Sequence, residues 1–350
     1  MVKISVILCT ARDDYPMIGL PDTFIFEPTI RSLENQTFDD FELIICDALY
    51  DYRKDYEIDK KASFPVKHIK PKPSVWDKIG AWRVCNQLNT AIMHCSGELI
   101  VRIDDCCSFG PEYLKKFWDW YKRGFFAQAL VIYHHGTEPL RNTEETKELY
   151  HKTFTSPAVK GETYEEIVKK LDLLYKPGEI IRDSRWRFFE GEGVCSGDMR
   201  TWYYGYGSFS LDAIIKVNGF DENFDGAKSL EEVDLGSRFY MAGYRDLILD
   251  ESLTVIEHFH GPVSKKAIWY DGKPPKCNYA LYLLNQKKNR YRANSDKLTE
   301  EDLRYIWEET CREPCSHCGG KDYDYEMFKF WANNQRIFDL EEERRKVLDI

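Results

Sequence analysis

The chain has 350 residues, 43% of them hydrophobic and 15% aromatic, and a net charge of −10. That length suits two domains or one large α/β domain with additions. The acidic balance excludes a general nucleic-acid binder, which needs a basic face for phosphates. No apolar run of about 18 residues occurs, so no transmembrane helix is expected. VKISVILCT opens on a strand at once, which leaves no room for a signal peptide. Eleven cysteines, an odd number lying mostly in strands or helices, point to a reducing, cytoplasmic setting.

ISVILCT (4–10) reads as a strand and PTIRSLENQ (28–36) as a helix with proline near its first turn, where a missing N–H costs nothing. FELIICDA (41–48) and the shorter VKHIKP are further strands. AWRVCNQLNTAIMHC (81–95) is a helix, because Val84, Leu88, Ala91 and Ile92 share a face. GELIVRIDD is the fourth strand. PEYLKKFWDWYKRG (111–124) is a helix with proline at its start and glycine at its end, and AQALVIYHH is a strand. Alternation of this kind implies a doubly wound, mostly parallel α/β sheet, with ligands at the carboxyl ends of its strands. Thr10, Asp47, Asp104 and Asp105 all sit at such ends.

The stretch 137–190 is strongly charged, with a helical period in TYEEIVKKLDLLY, and reads as an insertion or lid. Residues 265–297 carry nine Lys or Arg against two Asp. A loop at SKKAIWYDGKPPKCNY (264–279) would close over an anionic ligand such as a diphosphate, hold an anionic acceptor, or simply be solvated. LTEEDLRYIWEETC and the tail EMFKFWANNQRIFDLEEERRKVL look helical.

The chemistry concentrates at three places: Asp104-Asp105 after a buried strand, the acidic run Glu231-Glu232-Val233-Asp234, and His258 with His260 after another apolar strand. Carboxylates and imidazole delivered by separate strand ends are how an α/β protein builds a divalent-metal site beside a general base. Each has a plain alternative: a strand-end turn with solvated acids, an acid-rich first helical turn that suits the dipole, and structural histidines. Trp202, Tyr203, Tyr204 and Tyr206 among glycines suit either a sugar-stacking platform or core. Gly205 and Gly207 allow close backbone approach to a ligand. Cys311, Cys315, His317 and Cys318, with Cys277 as a further ligand, match zinc's preferences, free buried thiols being the alternative.

In the order ISVILCT, SLENQTFDDFELIICD, NTAIMHCSGELIVRIDD with GPEYL, YGYGSFSLDAIIKVNGFDENFDG, SLEEVDLGSRFYMAGYR and the strand into His258, the chain resembles a glycosyltransferase of family 2 with the GT-A fold. The resemblance covers roughly 1–130 and 195–262. It implies a catalytic domain over 1–264, with a nucleotide-sugar half at 1–130 and an acceptor and catalytic half at 195–264; the insertion at 137–190 and the basic loop and helical extension at 265–350 lie outside the resemblance. It implies transfer of a sugar from a nucleoside-diphosphate donor, UDP favoured, to an acceptor hydroxyl, with inversion.

The resemblance also implies residue roles. Asp105 and Asp104, with His258, would hold Mn²⁺ or Mg²⁺, although Cys106 stands where the family usually has a further Asp. Glu232 would be the general base, with Glu231 able to take its place and Asp234 in support. Thr10, Arg12, Asp47 (reading uracil), Lys78, Arg83, Asn89, Asp104 and Gly207 would bind the donor. Apart from the resemblance, the stacking reading would put Trp202, Tyr203 and Tyr204 against the acceptor, whether glycan, lipid-linked intermediate, protein or modified nucleic-acid base, with core packing as the alternative. A nucleotidyltransferase and a catalytically degenerate sugar- or nucleotide-binding module are the alternatives. TARDDYPMIG is a poor phosphate loop for the former; Cys106 and Glu232 keep the latter open.

Overall fold

A computed structural model describes residues 2–13, 26–80, 83–134, 140, 141, 145, 148, 164–176, 178–182, 193–202, 205–258, 264–267, 273–309 and 323–349. The strands are β1 Ile4–Thr10, β2 Phe41–Asp47, β3 Val66–Ile69, β4 Leu99–Ile103, β5 Cys107–Phe109, β6 Phe126–His134, β7 Glu179–Arg182, β8 Val194–Asp198, β9 Ser208–Ser210 and β10 Asp246–Glu257. The longer helices are α1 Glu27–Glu34, α2 Val84–Met93, α3 Tyr113–Lys122, α4 Tyr164–Leu174, α5 Leu211–Lys216, α6 Glu231–Met241, α7 Asn278–Lys287, α8 Glu300–Glu309, α9 Tyr325–Asn333 and α10 Leu340–Leu348.

One sheet has the order β3-β2-β1-β4-β9. Its first four strands are parallel, with β9 antiparallel at the edge. β1 is buried on both faces: Ile7 joins one apolar cluster, while Ile4, Val6 and Leu8 join the other. A near-continuous apolar strand is what a helix-covered parallel sheet requires. The second sheet runs β5-β10-β6-β7, with β8 also on β10. This is the mostly parallel, helix-flanked α/β architecture expected, with two sheets in place of one.

Every strong period in the first half produced its element, with ends that match or shift by up to three residues. The tail read as helical is two helices, because Asn334 to Phe338 are non-helical and Asp339 caps α10 with a bond from Glu342 N. The C-terminal helices are not an appendage: Leu284, Ile306, Trp331 and Leu340 share the apolar cluster that contains Leu88 and Ile92 of α2. Of the charged insertion, α4 and β7 are described. Tyr133 of β6 ties them down, donating to Asp172 at 2.9 Å and accepting from Gly178 N at 2.8 Å.

Candidate active site

Parallel strands deliver their last residues to one edge, and the cleft forms there. Its lining comes from Cys9 to Arg12 after β1, Ala48 after β2, Arg83, Val84 and Gln87 of α2, Arg102, Asp104 and Asp105 of β4, Glu231 and Glu232 of α6, and Ala267. Its volume is about 260 Å³. Gln87 pins the rim by donating to the carbonyls of Thr10 (3.0 Å) and Cys46 (3.3 Å).

Asp104 and Asp105 diverge, as adjacent residues leaving a strand do. Asp105 turns toward β1 and is buried. Its Oδ2 accepts from Thr10 Oγ1 at 2.6 Å and its Oδ1 from Arg12 Nε at 2.9 Å. Asp104 turns into the cleft and keeps 45% side-chain exposure, with Arg102 Nη2 3.6 Å away. Partial burial pushes Asp104 up to about 6; Arg102 opposes the rise, and the charges of Glu232, Asp105 and Glu257 add to it. Gly205 lies so close that any side chain there would strike the Asp104 carboxyl, 2.3 Å from an ideal Cβ. Cys106 then reverses the chain in a left-handed conformation, φ 60°, which costs a residue with a Cβ and occurs preferentially at functional sites.

Arg102, a cation in the otherwise apolar strand LIVRI, is the site residue that motif reading missed. The signal was available: a buried arginine must find carboxylates. It pairs through Nη1 with Glu232 and sits beside Asp104. Glu231, the first residue of α6, is pushed up to about 7 by burial first and then by Glu232 next to it, against the pull of Arg102. Asp234 does not reach the cleft. It is fully buried, accepting from Arg238 Nε at 2.6 Å and Asn285 Nδ2 at 2.9 Å, so it joins α6 to α7.

Several expected contacts are placed elsewhere. Asp47 is fully buried, with both oxygens on Arg53 Nη1 (3.0 and 3.1 Å), one on His68 Nε2 (3.0 Å) and the other on Leu49 N (2.8 Å). It organises the turn after β2 and does not line the cleft. Asn89 is equally buried: its amide bonds Phe220 N, Phe220 O and Glu222 Oε1, bolting α2 to the turn after α5. Lys78 is exposed on a short turn outside the cleft. Arg83 is in the lining, paired with Asp77. Gly207 accepts from Arg102 N through its carbonyl, and its missing side chain makes room for the Trp202 indole. Trp202 lies in the core and outside the cleft lining: it is fully buried, edge-on to Phe209 at 5.9 Å.

His258 is also fully buried. Its backbone N–H donates to Cys106 O at 2.8 Å, and its Nε2 lies 2.7 Å from Ser108 Oγ. The pairing of β10 with β5 sets this position, and the ring is not part of the cleft lining. Among the described residues, no three His, Cys, Asp or Glu side chains gather to hold a metal. Asp104, Asp105 and His258 thus do not form a ready-made cage. Cys277 is buried in the core beside α7. Cys311, Cys315, His317, Cys318, His260, Tyr203 and Tyr204 lie outside the described residues.

The stretch 25–176, which carries β2, Asp104 and Asp105, matches the family model for glycosyl transferase family 2. Over that stretch the chain is similar to glycosyl transferase family 2. The fold agrees with GT-A glycosyltransferases: the structure of GalNAc-T7 with UDP, GalNAc and Mn²⁺ superposes with a TM-score of 0.52 at 11% identity, covering 100% of this chain. This chain matches 58% of the length of the GalNAc-T7 chain. A mannosyltransferase from Pyrobaculum calidifontis, with GDP-Man and Mn²⁺, gives a TM-score of 0.43 at 13% identity, over 88% of this chain and 68% of that one. TarS of S. aureus, with UDP, gives 0.45 at 14% identity, over 87% and 70%. No curated protein sequence matches the chain. Among the described residues, no helix is long and apolar enough to cross a membrane.

Proposed function

We propose that the protein transfers a sugar from a nucleoside-diphosphate donor to an acceptor hydroxyl, with inversion. One observation carries the reading: the family 2 stretch and α6 deliver arginines and carboxylates of opposed roles to a single cleft. Arg12, fixed on Asp105, and Arg83 are the cations that would meet the diphosphate. Guanidinium forks suit phosphate oxygens.

Glu231 is the favoured base. It takes the proton from the acceptor hydroxyl as that oxygen attacks the anomeric carbon, and a base poised near neutrality is best matched to that task. Glu232, the position expected from the family pattern, is held by Arg102 and serves to aim that guanidinium. Asp234 supports α6 from within the core. With one base and no positioned nucleophile argued for, the outcome is a single displacement with inversion.

A divalent cation fits this cleft only with the substrate's help. Small divalent cations are commonly held by one or two carboxylates plus substrate phosphates, and Asp104 is the cleft-facing carboxylate that would serve. Held there with the donor's phosphates, Mn²⁺ or Mg²⁺ would supply charge neutralisation for the diphosphate. GalNAc-T7, similar in fold, is the precedent for Mn²⁺. UDP remains the first nucleotide to test, although Asp47 is committed to Arg53 and His68.

Calorimetric titration with UDP, GDP and dTDP, with and without Mn²⁺, followed by turnover of the matching nucleotide sugars, tests the reading. Metal-dependent binding of one nucleotide with turnover of its sugar supports it. Binding without turnover returns the non-catalytic module, and no binding of any nucleotide removes the transferase reading.

A further inference from the structure

Glu231 and Glu232 enter α6 through a backbone that L-residues resist. Ser229 and Leu230 are consecutive non-glycine residues in the left-handed region, with φ 78° and 74°. Such a conformation persists only where the surroundings over-determine it. The helix start offers no local help, because Leu230 at the N-cap makes no side-chain hydrogen bond.

The restraint comes from the other end of the sequence. Asn278, the first residue of α7, is fully buried. Its Nδ2 donates to the carbonyls of Phe224 (3.1 Å), Lys228 (3.1 Å) and Ser229 (2.9 Å). Two amide hydrogens shared by three carbonyls bind both sides of the turn at once. Lys276 decides which way the amide faces: its ammonium donates to Asn278 Oδ1 at 2.7 Å, which leaves the NH₂ pointing at the turn. Lys276 is fully buried as well and lies over the Trp331 ring, 4.8 Å from its centroid.

We propose that Asn278, oriented by Lys276, is a positioning residue that locks the Ser229–Leu230 turn and so sets where Glu231 and Glu232 meet the cleft. The C-terminal extension then takes part in the reaction through one side chain, although it contributes none of these carboxylates. The proposal rests on the roles given above to the two glutamates. It differs from a packing role for α7, which Ala280, Leu281 and Leu284 already fill in the core.

The test uses the full chain and two variants. Asn278→Ala removes the amide. Asn278→Asp keeps its shape and its bond to Lys276 but cannot donate to carbonyls. Both are expected to lower kcat by about 10²-fold, the cost of small misplacement of a reacting group. Nucleotide affinity should stay within about twofold, because its ligands lie on other elements. Amide hydrogen exchange at 229–233 should quicken by about tenfold or more, measured well below the melting temperature of each variant.

Adding Ser229→Gly to Asn278→Ala should restore most of the lost kcat, since glycine takes a positive φ without strain. A packing defect in α7 would not be repaired by that glycine. Unchanged exchange at 229–233, or an Asn278→Asp variant with wild-type kcat, overturns the proposal. If the wild type turns over no nucleotide sugar, the functional reading fails on its own, and the exchange comparison still decides whether Asn278 holds the turn.

Discussion

Arg102 of β4 and Glu232 of α6 form an ion pair in the lining of the cleft, joining the first sheet to the helix that carries the second acidic run. Arg102 is 7% exposed in its side chain and Glu232 22%, so the pair is largely withdrawn from water. It lies beside Asp104, where Arg102 opposes and Glu232 adds to the upward shift of that carboxyl.

Replacing Arg102 with Met should therefore do two things. It strands Glu232 and Asp104 without their cation, which should cost about 3 kcal/mol of stability in urea unfolding. It should also raise the titration of Asp104 and Glu231 further, since Arg102 pulls both down. The pH at which turnover is half-maximal would move upward. An unchanged midpoint would show that Arg102 does not face these acids in solution.

The wild-type pH dependence has a definite sign. Glu231 is raised from 4.5 to about 7, so the base form fills as pH passes that value. kcat/KM should rise with an apparent pKa near 7. Stability should move the other way. A carboxyl raised on folding binds more protons in the native state, so its contribution is present below the unfolded value and is lost as pH climbs through the folded one. Asp104 does the same between 3.8 and about 6. Melting temperature should fall across about pH 4 to 7 by an amount that Glu231→Gln reduces. A melting temperature that rises with pH there, and rises equally in Glu231→Gln, would contradict the assignment.

Trp202 tests the division between cleft and core. It is fully buried against Phe209 and against the backbone at Gly207 and Gly236. Trp202→Ala should cost about 3–5 kcal/mol in unfolding free energy, whereas an acceptor-stacking residue would lose acceptor affinity at nearly constant stability. Chemical denaturation alongside the acceptor KM separates the two.

The fold was largely legible because its information is local and periodic. LIVRI, FELIICD and ISVILCT alternate with amphipathic helices, and a parallel sheet needs little else. The cleft followed, because Thr10, Asp104 and Asp105 end strands that lie side by side. Finer roles were not legible, because they depend on where long side chains turn. Asp47 ends a strand as Asp105 does, yet Arg53 and His68 reach it first. Asn89 and Asp234 carry polar groups that a motif marks but packing consumes. His258 follows a strand as expected, but β5 beside it turns the ring toward Ser108. The Asn278 contact links residues about fifty positions apart and has no periodic signature.

The most direct test compares Glu231→Gln with Glu232→Gln, measuring kcat on the nucleotide sugar whose nucleotide binds and the affinity for that nucleotide alone. The account predicts that Glu231→Gln loses about 10²- to 10⁴-fold in kcat with nucleotide affinity kept, and that Glu232→Gln loses less. Glu231→Gln turning over at the wild-type rate would contradict it and return the base to Glu232.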